Sequence, residues 1–301
     1  MKATSPQQFR ASVESRLFTV ATETGRTINR TRTLLVMERF LTRMVAVAPD
    51  AFVLKGGLAL ELRLARARTT RDVDVLARGD AAAAEALLRD AAAFVPDPPD
   101  HIDFAVAPNP SAPEIDGDGV RYDGRRFRVT PTIASRPFGD PFGLDVAIAD
   151  AIVGAPDMLE GSDFFDRYGL ARLRVAAYPL PTHLAEKLHA LTLPRTQPNS
   201  RLKDLVDVAL LSDLDGHKAA LLRHAIDRTF RFRASHPVPA LLPDPPGEWS
   251  ARYARLQSDE RLVWATLDDV MVVARAFLDP VLSGVAGRWD TTSRSWTLSP
   301  D

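Results

Sequence analysis

Cysteine is absent from this 301-residue chain, which excludes disulfides, thiolate metal centres and a cysteine nucleophile. Aromatic residues make up only 7% of it, too few for broad base-stacking platforms. No apolar run approaches the ~20 residues that a membrane span needs. The opening MKATSPQQFR lacks the apolar core of a secretory leader, so a cytoplasmic protein is expected. Neither sign of charge dominates: 38 Lys and Arg meet 39 Asp and Glu, for a net charge of -1. That balance excludes a globally cationic nucleic-acid coat and leaves room for a local basic face. HExxH, G-x-S-x-G, Walker A and the full G-x-G-x-x-G are also missing, and the six histidines are scattered. Lysine is scarce as well, at five against 33 arginines. Three of the five, Lys55, Lys187 and Lys203, fall in the segments that carry candidate chemistry.

What remains is a globular composition, 46% hydrophobic and 26% charged. Apolar spacing predicts amphipathic helices over 7–22 and 31–47. An alternation follows: a strand at 52–54, a helix over 57–66, a strand at 73–76 and an alanine-rich helix over 80–94 capped by Asp80. Further strands are expected at 102–106, 126–133, 144–148 and 173–176, with Tyr122-Asp123-Gly124-Arg125 read as a hairpin turn. From Pro181 the pattern turns helical, over 182–193, 201–212, 216–232, 248–257 and 261–283. Five prolines between 236 and 247 make that stretch an extended connector. The expected organisation is α+β: a helical flank at 1–48, a mixed-sheet core at 49–178 and a helical C-terminal domain at 179–301.

Gly56-Gly57 falls between a strand and a helix. Paired glycines there let backbone approach a ligand, and the free N–H groups of a helix start suit an anion; a plain tight turn is the alternative. In Asp72-Val73-Asp74-Val75 the strand period puts both carboxylates on one face. Two like charges so placed repel unless a cation lies between them, and hard oxygen ligands suit Mg²⁺. An exposed edge strand with a solvated face would also accommodate them. Asp145 sits in the middle of an apolar strand, where it needs a cation, a partner or backbone N–H groups at a strand end. In the helical half, Lys187 lies at the margin of a stripe made by Leu184, Leu188 and Leu191. Lys203, Asp204 and Asp207 share one side of the next helix, with Lys203 and Asp207 spaced to pair. A solvated charged face is the alternative there.

Together these residues resemble the AbiEii/AbiGii-type toxins, minimal nucleotidyltransferases of type IV toxin–antitoxin and abortive-infection systems. The resemblance lies in Lys55-Gly56-Gly57-x-Ala59-Leu60 and Arg68-x-Thr70-x-Asp72-x-Asp74, then in Glu186-Lys187-Leu188-x-Ala190 with Arg195 nearby. It continues in Lys203-Asp204-Leu205-x-Asp207 and the Pro-Pro-Gly-Glu-Trp249 stretch, so that it spans roughly 50–255 in order. Gly57 departs from the Gly-Ser that many polymerase-β-like enzymes carry, which removes a hydroxyl near the phosphates. The resemblance implies a polymerase-β-like nucleotidyltransferase core. It implies transfer of NMP from an NTP to an RNA acceptor, above all the 3′ end of tRNA, blocking translation and growth. Asp72 and Asp74 would hold Mg²⁺ on the triphosphate, two ions in all with Mn²⁺ an alternative, and Asp145 would complete the second site. Lys187 and Asp204 would act with them on the nucleotide. Lys55, Gly56, Gly57, Arg71, Arg195, Lys203 and Asp207 would bind it. A cognate antitoxin is the implied partner, and neither membrane nor DNA is expected. RNA contact would come from Arg63, Arg66, Arg68 and Arg71 beside the metal strand, or from Arg223, Arg228, Arg231 and Arg233 on a later helix. A small-molecule or protein acceptor, or a non-catalytic nucleotide-binding module, are the competing readings.

Overall fold

The computed structural model describes residues 5–64, 70–115, 123–196 and 198–297. Two helices open the chain, α1 (Pro6–Thr24) and α2 (Ile28–Val47), each started by a hydroxyl at its N-cap: Ser5 accepts from Gln8 N–H and Thr27 from Arg30 N–H. Then come β1 (Phe52–Lys55), α3 (Gly56–Arg63), β2 (Asp72–Ala77) and α4 (Ala81–Ala93), the last capped by Asp80 as expected. Strands β3 (Ile102–Pro108), β4 (Asp123–Ile133), β5 (Arg136–Pro137), β6 (Phe142–Ile148), β7 (Asp157–Glu160) and β8 (Arg174–Ala177) complete the main sheet. Its order is β3-β4-β6-β2-β1-β8-β7, with β5 paired to β4. The sheet is mixed: β2 runs parallel to β6, and β1 to β8, while the other pairs are antiparallel.

Strand β2 is central, flanked by β1 and β6, so Asp72 and Asp74 do not lie on an edge strand. The register sets Asp74 opposite Asp145 and Asp72 opposite Gly143. Asp123, Gly124 and Arg125 form no hairpin turn; they belong to β4 and pair with Ile148, Ala147 and Val146. Strand pairing overrides the turn preference of Asp-Gly here. Tyr122, Arg66 and Arg68 lie outside the described residues.

The second half holds α5 (Leu180–Thr192), α6 (Leu202–Ser212), α7 (Ala219–Arg233), α8 (Trp249–Glu260) and α9 (Leu267–Leu282), then a small hairpin of β9 (Arg288–Asp290) and β10 (Ser295–Thr297). Helix α9 starts at 267 rather than 261. Thr266 and Asp269 form a reciprocal capping box, and Arg261 closes α8 in a left-handed conformation. Strands β5, β7, β9 and β10 carry no alternation long enough to be read from sequence. One hydrophobic cluster joins α1, α2 and α4 to the sheet; a second joins α5–α9 and takes Leu60 from α3. The site lies between these two clusters.

Candidate active site

A cavity of about 1440 Å³ opens between the sheet and the helical half. It is lined by Lys55, Gly56, Gly57, Arg71, Asp72, Asp74, Asp145, Lys187, Arg195, Lys203 and Asp204. One expected nucleotide contact, Asp207, does not line it.

The floor is set by β2, β6 and the β1–α3 turn. Gly56 has φ +66, and a Cβ there would come within 2.0 Å of Asp74 Oδ2. A methyl at Gly143 would come within 2.5 Å of Asp72 Oδ1. Both glycines are therefore spaces that the two carboxylates occupy. Burial, the neighbouring Asp145 and the offsetting pull of Lys55 leave the Asp74 carboxyl pushed up to about 6. Asp145 is raised too, by burial, although Arg126 Nε donates to its Oδ2 at 3.2 Å. Asp145 is thus held in mid-strand by a guanidinium from β4, not by backbone N–H groups at a strand end.

Among the described residues, no three His, Asp or Glu side chains converge closely enough to enclose a metal ion. The donor chemistry nevertheless fits a hard divalent cation: Asp72, Asp74 and Asp145 line the cavity with carboxylates, and beyond burial each of Asp74 and Asp145 is raised by a neighbouring carboxylate.

The far wall is helical. Lys187 Nζ on α5 reaches Asp204 Oδ1 at 2.9 Å and Asp207 Oδ2 at 2.8 Å on α6. Lys187, Asp204 and Asp207 are all buried, Asp207 fully, so the solvated-face reading of α6 does not hold. Only Lys203 of that group is exposed, and it has no carboxylate partner among the described residues; the Lys203–Asp207 pair is not formed. Asp207 sits behind Lys187 and fixes it.

A second ionic cluster lies where the two halves meet. Lys55 Nζ contacts Asp150 Oδ2 at 2.9 Å and Glu186 Oε2 at 3.2 Å, and sits over the Tyr178 ring at 5.2 Å. Tyr178 donates its hydroxyl to Asp150 at 2.7 Å, and Arg233 bridges Asp150 and Glu186. Burial alone would lower the Lys55 ammonium, yet Glu186 and Asp150 raise it above its usual value. Burial pushes Glu186 up to about 7 against the pull of Lys55, with Asp150 adding to the rise. Nothing local in the sequence marks Asp150 or Tyr178, because their partners come from β1, α3 and α7, far away in the chain.

Arg233 is thus no surface contact: its side chain is 3% exposed. Arg223 pairs with Asp227, and Arg63 is bonded to the Tyr178 carbonyl and Asp157. Arg223, Arg228 and Arg231 do not line the cavity. The expected basic patch on α7 is therefore displaced from the site.

A family model for the AbiEii nucleotidyl transferase toxin of type IV toxin–antitoxin systems matches residues 39–273. Among solved structures, the nucleotidyltransferase toxin MenT4 from Mycobacterium tuberculosis H37Rv superposes with a TM-score of 0.56 at 14% identity, covering 92% of each chain. JHP933 from Helicobacter pylori reaches a TM-score of 0.44 at 17% identity, covering 83% of this chain and 91% of its own. No curated protein matches the sequence. The MenT4 likeness concerns the fold; the family model, which spans most of the chain, decides the family. The carboxylate floor, the lysine wall and the glycine turn lie in the span it matches, and the chain belongs to the AbiEii family of nucleotidyltransferase toxins.

Proposed function

We propose that this enzyme transfers NMP from an NTP to the 3′ end of an RNA, with tRNA as the acceptor, and thereby blocks translation. The observation that carries the reading is the placement of Asp72, Asp74 and Asp145 on adjacent parallel strands of one cavity that a buried lysine also lines. Asp72 and Asp74 would hold Mg²⁺, with Asp145 adding a further oxygen ligand. When bound there, the ion would offset triphosphate charge and assist the attacking hydroxyl. The acceptor oxygen forms a bond to the α-phosphorus, the bond from that phosphorus to the β-phosphate oxygen breaks, and pyrophosphate leaves. The hydroxyl proton leaves to solvent as the acceptor oxygen bonds to phosphorus.

Lys187 supplies positive charge to the triphosphate, and Asp204 and Asp207 hold its ammonium in place. The N–H groups at Gly56 and Gly57 receive phosphate oxygens at the start of α3. Lys55 is held by Asp150 and Glu186, so it supports the β1–α3 turn from beneath. Arg71, Arg195 and Lys203 on the cavity wall give further phosphate or ribose contacts.

The experiment is incubation with each α-labelled NTP, Mg²⁺ and total tRNA, alongside cell extract freed of RNA. Label on tRNA supports the proposal. Label on protein or small molecules moves the reading to another acceptor, and no label at all moves it to a nucleotide-binding module. A helix long and apolar enough to cross a membrane is absent among the described residues. A cytoplasmic site of action and a cognate antitoxin belong to the same proposal.

A further inference from the structure

The cavity is larger than one small molecule requires. Its volume of about 1440 Å³ exceeds the roughly 300–1,000 Å³ of ordinary ligand pockets. Its charge is also unlike that of the whole chain. Thirteen Lys and Arg against eight Asp and Glu line it, in a protein whose net charge is -1. Several of these cations are spoken for: Lys55 and Arg233 by Asp150 and Glu186, Lys187 by Asp204 and Asp207, and Arg126 by Asp145. On the helical rim the situation differs. Arg252 and Arg255 project from α8, are exposed, and have no carboxylate partner among the described residues. Arg201 at the head of α6 is half exposed and reaches Asp204 only at 3.7 Å.

Arg201 and the α8 pair come from distant parts of the sequence, and specific bonds hold α8 against the segment before α6. Trp249, at the start of α8 and 1% exposed, donates its indole N–H to the Asn199 carbonyl at 2.7 Å. Arg252 donates to the same carbonyl at 3.3 Å, and Asn199 Oδ1 accepts from Arg201 N–H at 2.9 Å. Asn199 is itself anchored to α5 by a bond to the Leu191 carbonyl. The rim is thus a pinned surface that presents guanidinium groups beside the cavity. Aromatic rings are nearly absent from the lining, where Tyr178 is the only one among the described residues besides two histidines. A strand lying there would be gripped by its phosphates, with little base stacking.

We propose that Arg201, Arg252 and Arg255 form the track that holds the phosphodiester backbone of the acceptor RNA next to its reacting end. This deepens the transfer reading given above and rests on it for the acceptor's class. The α7 arginines, Arg228 and Arg231, take no part, because they lie off the cavity.

The test measures RNA binding apart from turnover. Total tRNA ending in a 3′-deoxyribose, which cannot accept NMP, is titrated in filter-binding assays without NTP at several salt concentrations. Arg252→Gln/Arg255→Gln should weaken binding about tenfold or more at moderate salt. It should also flatten the plot of log affinity against log salt by roughly 0.7 for each phosphate no longer neutralised. Affinity for a non-hydrolysable NTP should be unchanged, which shows that the fold and nucleotide site persist. Arg228→Gln/Arg231→Gln, with the same reduction in charge, should bind RNA as the wild type does. Wild-type affinity and salt slope in the α8 variant would overturn the proposal, as would an equally weakened α7 variant or no RNA binding by the wild type. RNA binding through α8 without label transfer from any NTP would instead sink the transfer reading and leave the track standing.

Discussion

Asp74 shows how a group suited to a cation burdens the protein without one. Its carboxyl stands at about 6 against an ordinary 3.8, so the folded state holds the proton more tightly than the unfolded state does. That contribution to stability is fully present below the unfolded value and is lost as pH rises through about 6. Asp74→Asn removes the charge and keeps the shape. In chelator it should therefore be more stable than the wild type above about pH 7, by about 1–3 kcal/mol, with the gap closing near pH 4. Thermal unfolding across that range checks the sign, and added Mg²⁺ should narrow the gap by stabilising the wild type. The same variant should lose about 10²-fold or more in NMP transfer. Equal or lower stability above neutral pH would mean that burial and Asp145 do not burden the Asp74 carboxylate. Lys187 gives the complementary case. Its ammonium is clasped between Asp204 and Asp207 at 2.9 and 2.8 Å in a buried place, a geometry that a longer, planar guanidinium does not reproduce. Lys187→Arg should be nearly as inactive as Lys187→Ala, an ångström-scale displacement costing ~10²-fold, whereas Lys218→Arg should be silent. Steady-state transfer rates decide it: near-wild-type turnover of Lys187→Arg would mean that charge alone matters.

The elements make these residues meet. The alternation in β2 made Asp72 and Asp74 legible as one face, because a strand period of two is written in adjacent residues. The motif spacing likewise marked the β1–α3 turn, Lys187 and Asp204. It could not reveal that Asp207 lies behind Lys187, or that Arg126 reaches Asp145, since both depend on how neighbouring elements pack. The α8 arginines were invisible for a different reason. In so arginine-rich a chain an exposed guanidinium looks like any solvated helix face, and it takes contacts such as the Trp249–Asn199 bond to set this one beside the cavity. The glycine turn can be tested directly. Gly56 combines φ +66 with a Cβ position 2.0 Å from Asp74 Oδ2. Gly56→Ala should cost about 1–2 kcal/mol for its backbone conformation alone, and should displace the Asp74 carboxylate as well. A fall in the denaturation midpoint together with loss of transfer is expected. Full activity in that variant would show that Asp74 has room to move without consequence.

At the scale of the whole molecule, two hydrophobic clusters flank the cavity, and the Lys55–Asp150–Glu186–Arg233 network ties them together. Asp150 is its hub, 1% exposed in its side chain and bonded to Lys55, Arg233 and Tyr178. Asp150→Ala leaves two buried cations with Glu186 alone and should cost about 3–5 kcal/mol, read as a shift of the urea midpoint. A shift under about 1 kcal/mol would mean that the network is solvated and not a clasp. The central claim concerns what the clasped cavity does. Its most direct test is the intact mass of the 3′-terminal fragment of tRNA after incubation with NTPs and Mg²⁺. A gain of whole NMP units on that fragment, absent with Asp74→Asn and with RNA lacking a 3′-hydroxyl, is the predicted result. An unchanged fragment mass from enzyme that binds both NTP and RNA would contradict it.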